Sequence, residues 1–178
     1  MSIARGGDER LKRDRALFLV RFIGIVVGLY ILIALNPVND HVIVPFTRFI
    51  TVIAGWMLGA AGQQVSVNGT IIGSPTFAVN VENGCNGIEA VILLIAAVAA
   101  FPARWIDRIL GIILGFLAVQ IVNTFRVAML FWLGAHHPTV FQLFHVAVWQ
   151  SLIILFSVGL FVLWSWKFAA PKALATSR

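Results

Sequence analysis

Three side chains with complementary chemistry occur in the apolar part of the chain: a thiol, a guanidinium and an imidazole. Cys85 is the only cysteine and stands in ENGCNGIEAVILL, where an apolar run begins immediately after it. Arg126 lies in QIVNTFRVAMLFWLG, and His145 lies in FHVAVWQ. A thiolate can attack a peptide carbonyl, an imidazole can move the protons, and a guanidinium can stabilise the oxyanion that forms. If the three converge, they form a site for thiol-dependent acyl transfer.

The residues around Cys85 predict the start of a helix. A thiol at a helix N-terminus meets the positive end of the helix dipole, which favours the thiolate. Asn86 is predicted as the N-cap, and Glu89, three residues later, would close an arrangement like a capping box. Gly84 and Gly87 would let the backbone approach a ligand closely. The alternative is that Cys85 is a small core residue, the usual role of a lone cysteine in a membrane helix.

Arg126 is predicted to lie deep in the membrane, about 12 Å below the outer end of its helix. A charge at that depth is expensive, which favours a functional role. Polar residues share its helix face: Gln120, Asn123 and Thr124. Asn123 is predicted to orient Arg126 or to hold a helix pair. The alternative is a structural polar face, with Arg126 extending to the lipid headgroups.

His145 is predicted near the start of the last helix, on one face with Gln142 and Trp149. An imidazole there can donate and accept protons near neutral pH. The alternative is an interfacial histidine beside an aromatic belt. The pair His136-His137 is predicted to lie in a link between helices. Its spacing matches no metal-binding pattern, so we expect neither a metal nor a cofactor.

The composition indicates a polytopic membrane protein. The 178 residues are 60% hydrophobic and 11% charged, with a mean hydropathy of +0.96. A water-soluble domain of that length cannot bury so much apolar surface. Of the 13 Lys and Arg residues, five precede residue 16, two lie in FPARWIDR and three lie near the C-terminus. That distribution is typical of cytoplasmic flanks and argues against a nucleic-acid partner.

The apolar segments predict an all-α polytopic integral membrane protein with about four spanning helices. These helices are predicted at 16–35, 86–101, 107–134 and 142–166. Segment 42–62, interrupted by Pro45 and Arg48, is predicted to be an interfacial or half-inserted helix on the outer side. The β-branched alternation in 63–84 predicts one or two short β-hairpins, which must lie at a membrane surface.

Charge distribution predicts the domain organisation. We expect a cytoplasmic basic tail at 1–15, a single membrane domain at 16–168 with its core at 42–166, and a cytoplasmic tail at 169–178. This orientation places Cys85 and the histidines on the outer side: His41, His136, His137 and His145. The alternative is that the positive-inside rule fails at the N-terminus.

The motifs ENGCNGIEAVILL, NTFR and FHVAVWQ, in that order, resemble the exosortase/archaeosortase family of membrane transpeptidases. VNGTII and FAVNV also resemble the family, and the likeness covers roughly residues 42–150. It is closest to the short exosortase H type. The resemblance implies Cys85 as the nucleophile, Arg126 as the stabiliser of the oxyanion or thiolate, and His145 as the acid and base. It also implies an active site on the outer side of a bacterial inner membrane.

The resemblance further implies the partners. Substrate proteins would carry a C-terminal signal made of a short motif, a transmembrane helix and a basic tail. The acyl group would pass to a glycan or lipid acceptor. Two other functions fit the sequence: a non-catalytic membrane scaffold or transporter subunit, and a cysteine peptidase that hydrolyses its acyl-enzyme. Matching tails encoded in the same genome would separate enzyme from scaffold, and product mass would separate hydrolysis from transfer.

Overall fold

The computed structural model describes the backbone of residues 2–175 and the side chains of residues 9–168. The α-helices are α1 (Ser2–Ala34), α2 (Asn36–Val38), α3 (Val44–Ala60), α4 (Ile88–Ala100), α5 (Trp105–His136), α6 (Pro138–Leu143) and α7 (Trp149–Ala175). Two π-helical turns, Asn39–Ile43 and Phe144–Val148, connect α2 to α3 and α6 to α7. The bundle is therefore built from long helices interrupted by two wide turns.

α1 begins earlier than the start predicted at residue 16. The charged segment before that residue contains good helix formers, and opposite charges lie four residues apart at Glu9 and Arg13. The membrane helix therefore continues through the charged sequence. α1 ends where Leu35 adopts an extended conformation, and Pro37 then occupies the first turn of α2, a position that tolerates proline.

The segment between α3 and α4 forms a three-stranded antiparallel sheet, as the predicted hairpins require. Its strands are β1 (Ser66–Asn68), β2 (Ile71–Gly73) and β3 (Ala78–Asn80), paired in the order β1-β2-β3. Asn68 pairs with Ile71, which leaves a two-residue turn in which Gly69 has a φ of 62°. A positive φ suits glycine, so the sequence permits this tight turn.

Four helical stretches are long and apolar enough to cross a membrane: Glu9–Ala34, Asn36–Ala60, Trp105–His136 and Pro138–Phe168. α4 has 13 residues and is shorter than these. The chain is thus an all-α multi-pass membrane protein with a small sheet, as predicted. By length, the stretch Asn36–Ala60, which includes most of the predicted segment 42–62, could also span, whereas α4 is shorter than the helix predicted at 86–101.

The direction of α3 bears on how it sits in the membrane. Near its start, the ring of Phe46 lies 5.9 Å from that of Phe116 on α5. Further along both helices, Leu58 and Phe131 belong to one buried cluster. α3 and α5 therefore run in the same direction and not as an antiparallel hairpin. Such a helix adds no return crossing, which supports its prediction as a half-inserted element.

The helices α1, α4, α5 and α7 alternate in direction. α4 runs against α5, because Gly87 lies against Asn123 while Leu94 lies against Gly115. α7 also runs against α5, because Gln150 bonds Arg126 while Trp164 bonds the carbonyl of Asp107. α1 runs against α4, since Phe18 contacts Phe101 beyond the end of α4 and Tyr30 interacts electrostatically with Glu89 at its start. These four helices are the ones predicted to span.

Two hydrophobic clusters hold the bundle together. One joins α3 and the sheet to the second half of α5, and includes Ala54, Ile72 and Phe131. The other joins α4, the first half of α5 and α7, and includes Val98 and Ile153. The segment between β3 and α4, residues 81–87, passes between the helices near the middle of α5. We refer to it as the Cys85 loop.

Candidate active site

Cys85 and His145 are in direct contact. The Sγ atom of Cys85 lies 2.9 Å from Nε2 of His145. His145 is placed by the second π-helical turn, and Phe141 stacks on its ring with centroids 5.5 Å apart and planes at 18°. Phe77, from the turn between β2 and β3, packs edge-on against Phe141 at 5.7 Å. The sheet therefore supports the imidazole through two aromatic rings.

Hydrogen bonds from two asparagines fix the Cys85 loop. Asn123 on α5 donates from Nδ2 to the carbonyl oxygen of Cys85 at 3.2 Å. Asn86 is fully buried and donates from Nδ2 to Oγ1 of Thr47 on α3 at 3.0 Å. Its Oδ1 accepts the backbone N–H of Ile88 at 3.1 Å. The nucleophile candidate is thus held between α3 and α5 by bonds on both sides.

The start of α4 differs from the prediction. The N-cap is Gly87 and not Asn86, although Asn86 still accepts a backbone N–H. Gly87 has a φ of 78°, and a Cβ there would lie 2.8 Å from Cγ of Asn123. Only glycine allows this conformation and this approach without strain. Glu89 closes no capping box, because its Oε2 is buried without a hydrogen-bond partner among the described residues.

Arg126 is buried beside the Cys85 loop, with 1% of its surface exposed. It donates from Nη1 to the carbonyl oxygen of Gly84 at 3.4 Å and from Nη2 to Oε1 of Gln150 at 3.2 Å. Its Nε is buried and has no partner in the described part of the chain. The guanidinium therefore joins the loop before Cys85 to α7, and its Nε–H has no acceptor among the described residues.

Burial raises the pKa of the Cys85 thiol above its ordinary value. The nearby Arg126 guanidinium lowers this pKa, while the carboxylates of Glu89 and Glu82 raise it. The net direction is opposite to the expectation of a thiolate favoured by a helix N-terminus. The reason is that α4 begins at Ile88, beyond the thiol, and desolvation outweighs the cation. A protonated thiol needs a base, and the adjacent imidazole supplies one.

Some polar residues predicted to lie with the site do not. The Gln120 side chain is buried on α5 without a partner among residues 9–168, and Thr124 donates to the Gln120 carbonyl of its own helix at 2.7 Å. Six residues separate Gln120 from Arg126, which is a rotation of about 240° on an α-helix. Gln142, predicted on the face of His145, is exposed. The spacing of three residues correctly placed Asn123 near Arg126. The predicted polar face of α5 does not, however, extend to Gln120.

Gln150 is the residue at the site that sequence reasoning missed. On a regular α-helix, a residue five positions after His145 points about 140° away from it. The π-helical turn Phe144–Val148 is wider, and it brings Gln150 to Arg126 while His145 reaches Cys85. Such turns are frequent at functional sites. Gln150 ends the FHVAVWQ motif, so the motif itself was the available signal.

The fold and the site define a class: a multi-pass membrane protein with a thiol–imidazole pair beside a buried guanidinium. The chain matches the model of the transmembrane exosortase family over residues 11–168. It therefore belongs to that family, as the motifs predicted, and the match extends beyond the expected 42–150 to include most of α1. Comparisons with curated proteins and with solved structures found no match.

Proposed function

We propose that this exosortase is a cysteine transpeptidase that cleaves the C-terminal sorting signal of exported proteins and transfers them to a surface acceptor. The observation that carries the proposal is the 2.9 Å contact between Sγ of Cys85 and Nε2 of His145, next to buried Arg126. A thiol, a base within hydrogen-bonding reach and a desolvated cation are the groups that acyl transfer through a thioester requires.

Acylation uses each group in turn. Sγ of Cys85 attacks the carbonyl carbon of the scissile peptide while His145 takes the thiol proton, and a C–S bond forms. The carbonyl oxygen becomes negative in the tetrahedral intermediate. When the intermediate collapses, the C–N bond breaks and His145 gives its proton to the leaving amine. The products are a thioester on Cys85 and a released C-terminal fragment with a new N-terminus.

In the transfer step, the sulfur of Cys85 becomes the leaving group and the acceptor becomes the nucleophile. A hydroxyl or amine of the acceptor attacks the thioester carbonyl while His145 takes its proton. The new C–O or C–N bond forms, the C–S bond breaks, and the Cys85 sulfur leaves and recovers the proton from His145. If water takes the acceptor's place, the same steps give hydrolysis, so a plain peptidase differs only in the second nucleophile.

Arg126 is assigned the role of stabilising the negative charge that develops on the carbonyl oxygen in both halves of the reaction. A guanidinium stays protonated even when it is buried, and its planar array of N–H groups suits oxyanions. The bonds to Gly84 and Gln150 hold it in place, and the unused Nε–H remains as a donor. Asn123 is a positioning residue, because it holds the carbonyl of Cys85.

The proposed substrate is a protein whose tail consists of a short motif, a transmembrane helix and a basic segment. The proposed location is the outer side of a bacterial inner membrane, with a glycan or lipid as the acceptor. The basic N-terminal segment supports this orientation, because positive flanks stay in the cytoplasm. A scaffold would not require a thiol, an imidazole and a guanidinium buried together.

The test is to trap the acyl-enzyme. The wild-type protein is co-expressed with a reporter that carries such a tail from the same genome, and residue 85 is examined by intact-mass and peptide mass spectrometry. We expect an acyl adduct on Cys85 that hydroxylamine removes, and no processing by Cys85→Ala although the variant inserts in equal amount. Full processing by Cys85→Ala would overturn the mechanism.

A further inference from the structure

A cavity of about 240 Å³ lies between α1, α4 and α7, inside the apolar part of the bundle. Its walls include Phe18 on α1, Leu93 and Ala97 on α4, and Ser157 and Phe161 on α7. We call this space and the helix faces around it the α1–α4–α7 cleft. The reaction proposed above uses none of these side chains.

The cleft lies on a line that leads to the candidate active site. On α4, Glu89, Leu93 and Ala97 follow one another at intervals of four and share one helix face. On α7, a second stripe at intervals of three and four contains Gln150, Ile154, Ser157 and Phe161. Gln150 bonds Arg126. Both stripes therefore connect the cavity to the level of the buried guanidinium.

Aromatic rings line the opposite end of the cleft. Phe18 stacks on Phe161 with centroids 6.2 Å apart, and Phe101 meets both Phe161 and Trp164 at 5.8 Å. This end lies near the link before α5, which carries Arg104. This end faces the predicted cytoplasmic side, where an adjoining pocket is lined by Arg15 and Pro102.

Two polar groups along the cleft are buried without partners in the part of the chain whose side chains are described. Ser157, 2% exposed, lines the cavity, and its hydroxyl makes no hydrogen bond. Glu89, at the upper end of the α4 stripe, leaves Oε2 unpaired. Unsatisfied polar groups at membrane depth cost free energy, and lipid tails offer them nothing. A ligand with free N–H groups at the level of Glu89 would satisfy this carboxylate, and a polar side chain on the ligand could reach Ser157.

We propose that the α1–α4–α7 cleft binds the transmembrane helix of the substrate's sorting signal, with the N-terminal end of that helix at Glu89. This inference rests on the proposed function. The first turn of any helix presents four free N–H groups and the positive end of its dipole, which a carboxylate complements. The scissile peptide precedes that helix, so this placement brings the peptide to Cys85.

The walls of the cleft suit a helix. Ala97 and Ser157 are small, and small residues let helix backbones approach closely in membranes. The cavity is smaller than a helix, so a docked helix displaces part of the wall formed by α1, none of whose described side chains is buried. An acyl chain of a lipid would fill the cavity but would leave the carboxylate of Glu89 without a donor.

Site-directed photocrosslinking tests the docking in the Cys85→Ala background, so that processing does not remove the bound substrate. The crosslinking residue replaces Leu19 on α1 or Val158 on α7, which both line the cleft. The controls are Val20 and Leu152, which are also exposed, with 72% and 49% of their surfaces accessible, and which point away from the cleft. The probe is the same tail-bearing reporter, and its processing by wild type is measured in parallel.

We expect crosslinks to the reporter from both cleft positions and none from the controls. If wild type processes the reporter but cleft and control positions crosslink equally, or the cleft captures lipid only, the docking proposal is overturned and the proposed function stands. If wild type neither processes the reporter nor forms a thioester with it, and no crosslink forms, the proposed function is overturned and the docking proposal with it.

A bulky substitution provides a second, independent test. Ser157→Leu fills the cleft, whereas Gly159→Leu adds a larger side chain two residues away in open space. We expect Ser157→Leu to slow processing of the reporter at least tenfold and Gly159→Leu to leave it unchanged, with equal insertion of both variants. Unchanged processing by Ser157→Leu would overturn the proposal.

Discussion

Sγ of Cys85 and Nε2 of His145 lie 2.9 Å apart although 60 residues separate them in the chain. No local element joins them: the thiol belongs to a loop held by α3 and α5, and the imidazole to a π-helical turn. The rings of Phe77 and Phe141 link that turn to the sheet. Contact between the two groups therefore depends on α3, α5, the sheet and the π-helical turn together.

His145→Ala is expected to lower the processing rate by about 10²–10⁴-fold, the range that a general acid–base residue contributes. The loss arises because no other base lies beside the thiol among the contacts described. The measurement is the rate of reporter cleavage at equal amounts of inserted protein. His137→Ala is the control, because His137 is exposed at the end of α5 and should leave the rate unchanged. Equal effects of the two substitutions would contradict the role of His145.

The pH dependence of Cys85 alkylation should reveal its surroundings. Because burial raises the pKa of the thiol, its reaction with iodoacetamide should increase with pH and reach half-maximum above the value for a free cysteine. Arg126→Gln removes a cation that lowers this pKa, so the midpoint should move up. Glu89→Gln removes an anion that raises it, so the midpoint should move down.

Cys85 is the only cysteine in the chain, so total label incorporation measures this one residue. Alkylation is a simple reaction with a small neutral reagent, so it separates thiol ionisation from substrate binding. Midpoints that shift in the same direction for Arg126→Gln and Glu89→Gln would show that the thiol responds to something other than these two charges.

Gln150→Leu should destabilise the protein by about 1–3 kcal/mol and reduce processing, because it leaves Nη2 of buried Arg126 without its acceptor. Gln142→Leu is the matched control, since Gln142 precedes the same helix and is exposed. The measurements are the thermal midpoint in detergent and the cleavage rate. Equal behaviour of the two variants would mean that the Arg126–Gln150 bond contributes nothing.

Gly87→Ala tests the close approach of the Cys85 loop to α5. The substitution places a methyl group against Asn123 and also forces an L-residue into a positive φ. Gly62→Ala is the control, because Gly62 has a φ of 83° and open space around it. The control should lose about 1–2 kcal/mol from conformation alone. We expect Gly87→Ala to lose more stability than the control and to abolish processing. Equal losses of thermal stability in the two variants would show that the contact with Asn123 adds no cost.

The sequence predicted the helical class, the hairpins and the convergence of Cys85, Arg126 and His145 at the candidate site. Cys85, Arg126 and His145 could be found because a polar side chain in an apolar run is costly and therefore informative. The cap of α4 could not be predicted in detail, because the choice of Gly87 over Asn86 depends on contact with Asn123 on another helix. Tertiary contacts of this kind leave no local pattern.

Gln150 was missed for a different reason. A sequence read with a period of 3.6 residues assumes that every helix is regular. The turn Phe144–Val148 breaks that assumption, and neither glycine nor proline marks it. The apolar pattern also could not predict that α3 runs parallel to α5, because hydropathy does not determine the relative direction of two helices.

The wide turn before α7 also affects how relatives of this chain should be compared. A turn closed by i→i+5 bonds is equivalent to one residue inserted in an α-helix. A relative with three residues, instead of four, between the corresponding His and Gln would hold them only about 40° apart on a regular helix. If the π-helical turn became a regular α-helix with the same number of residues, the His and Gln side chains would point about 140° apart. A one-residue gap at this place in an alignment is therefore compatible with the same chemistry, whereas an unchanged length with a regular helix is not.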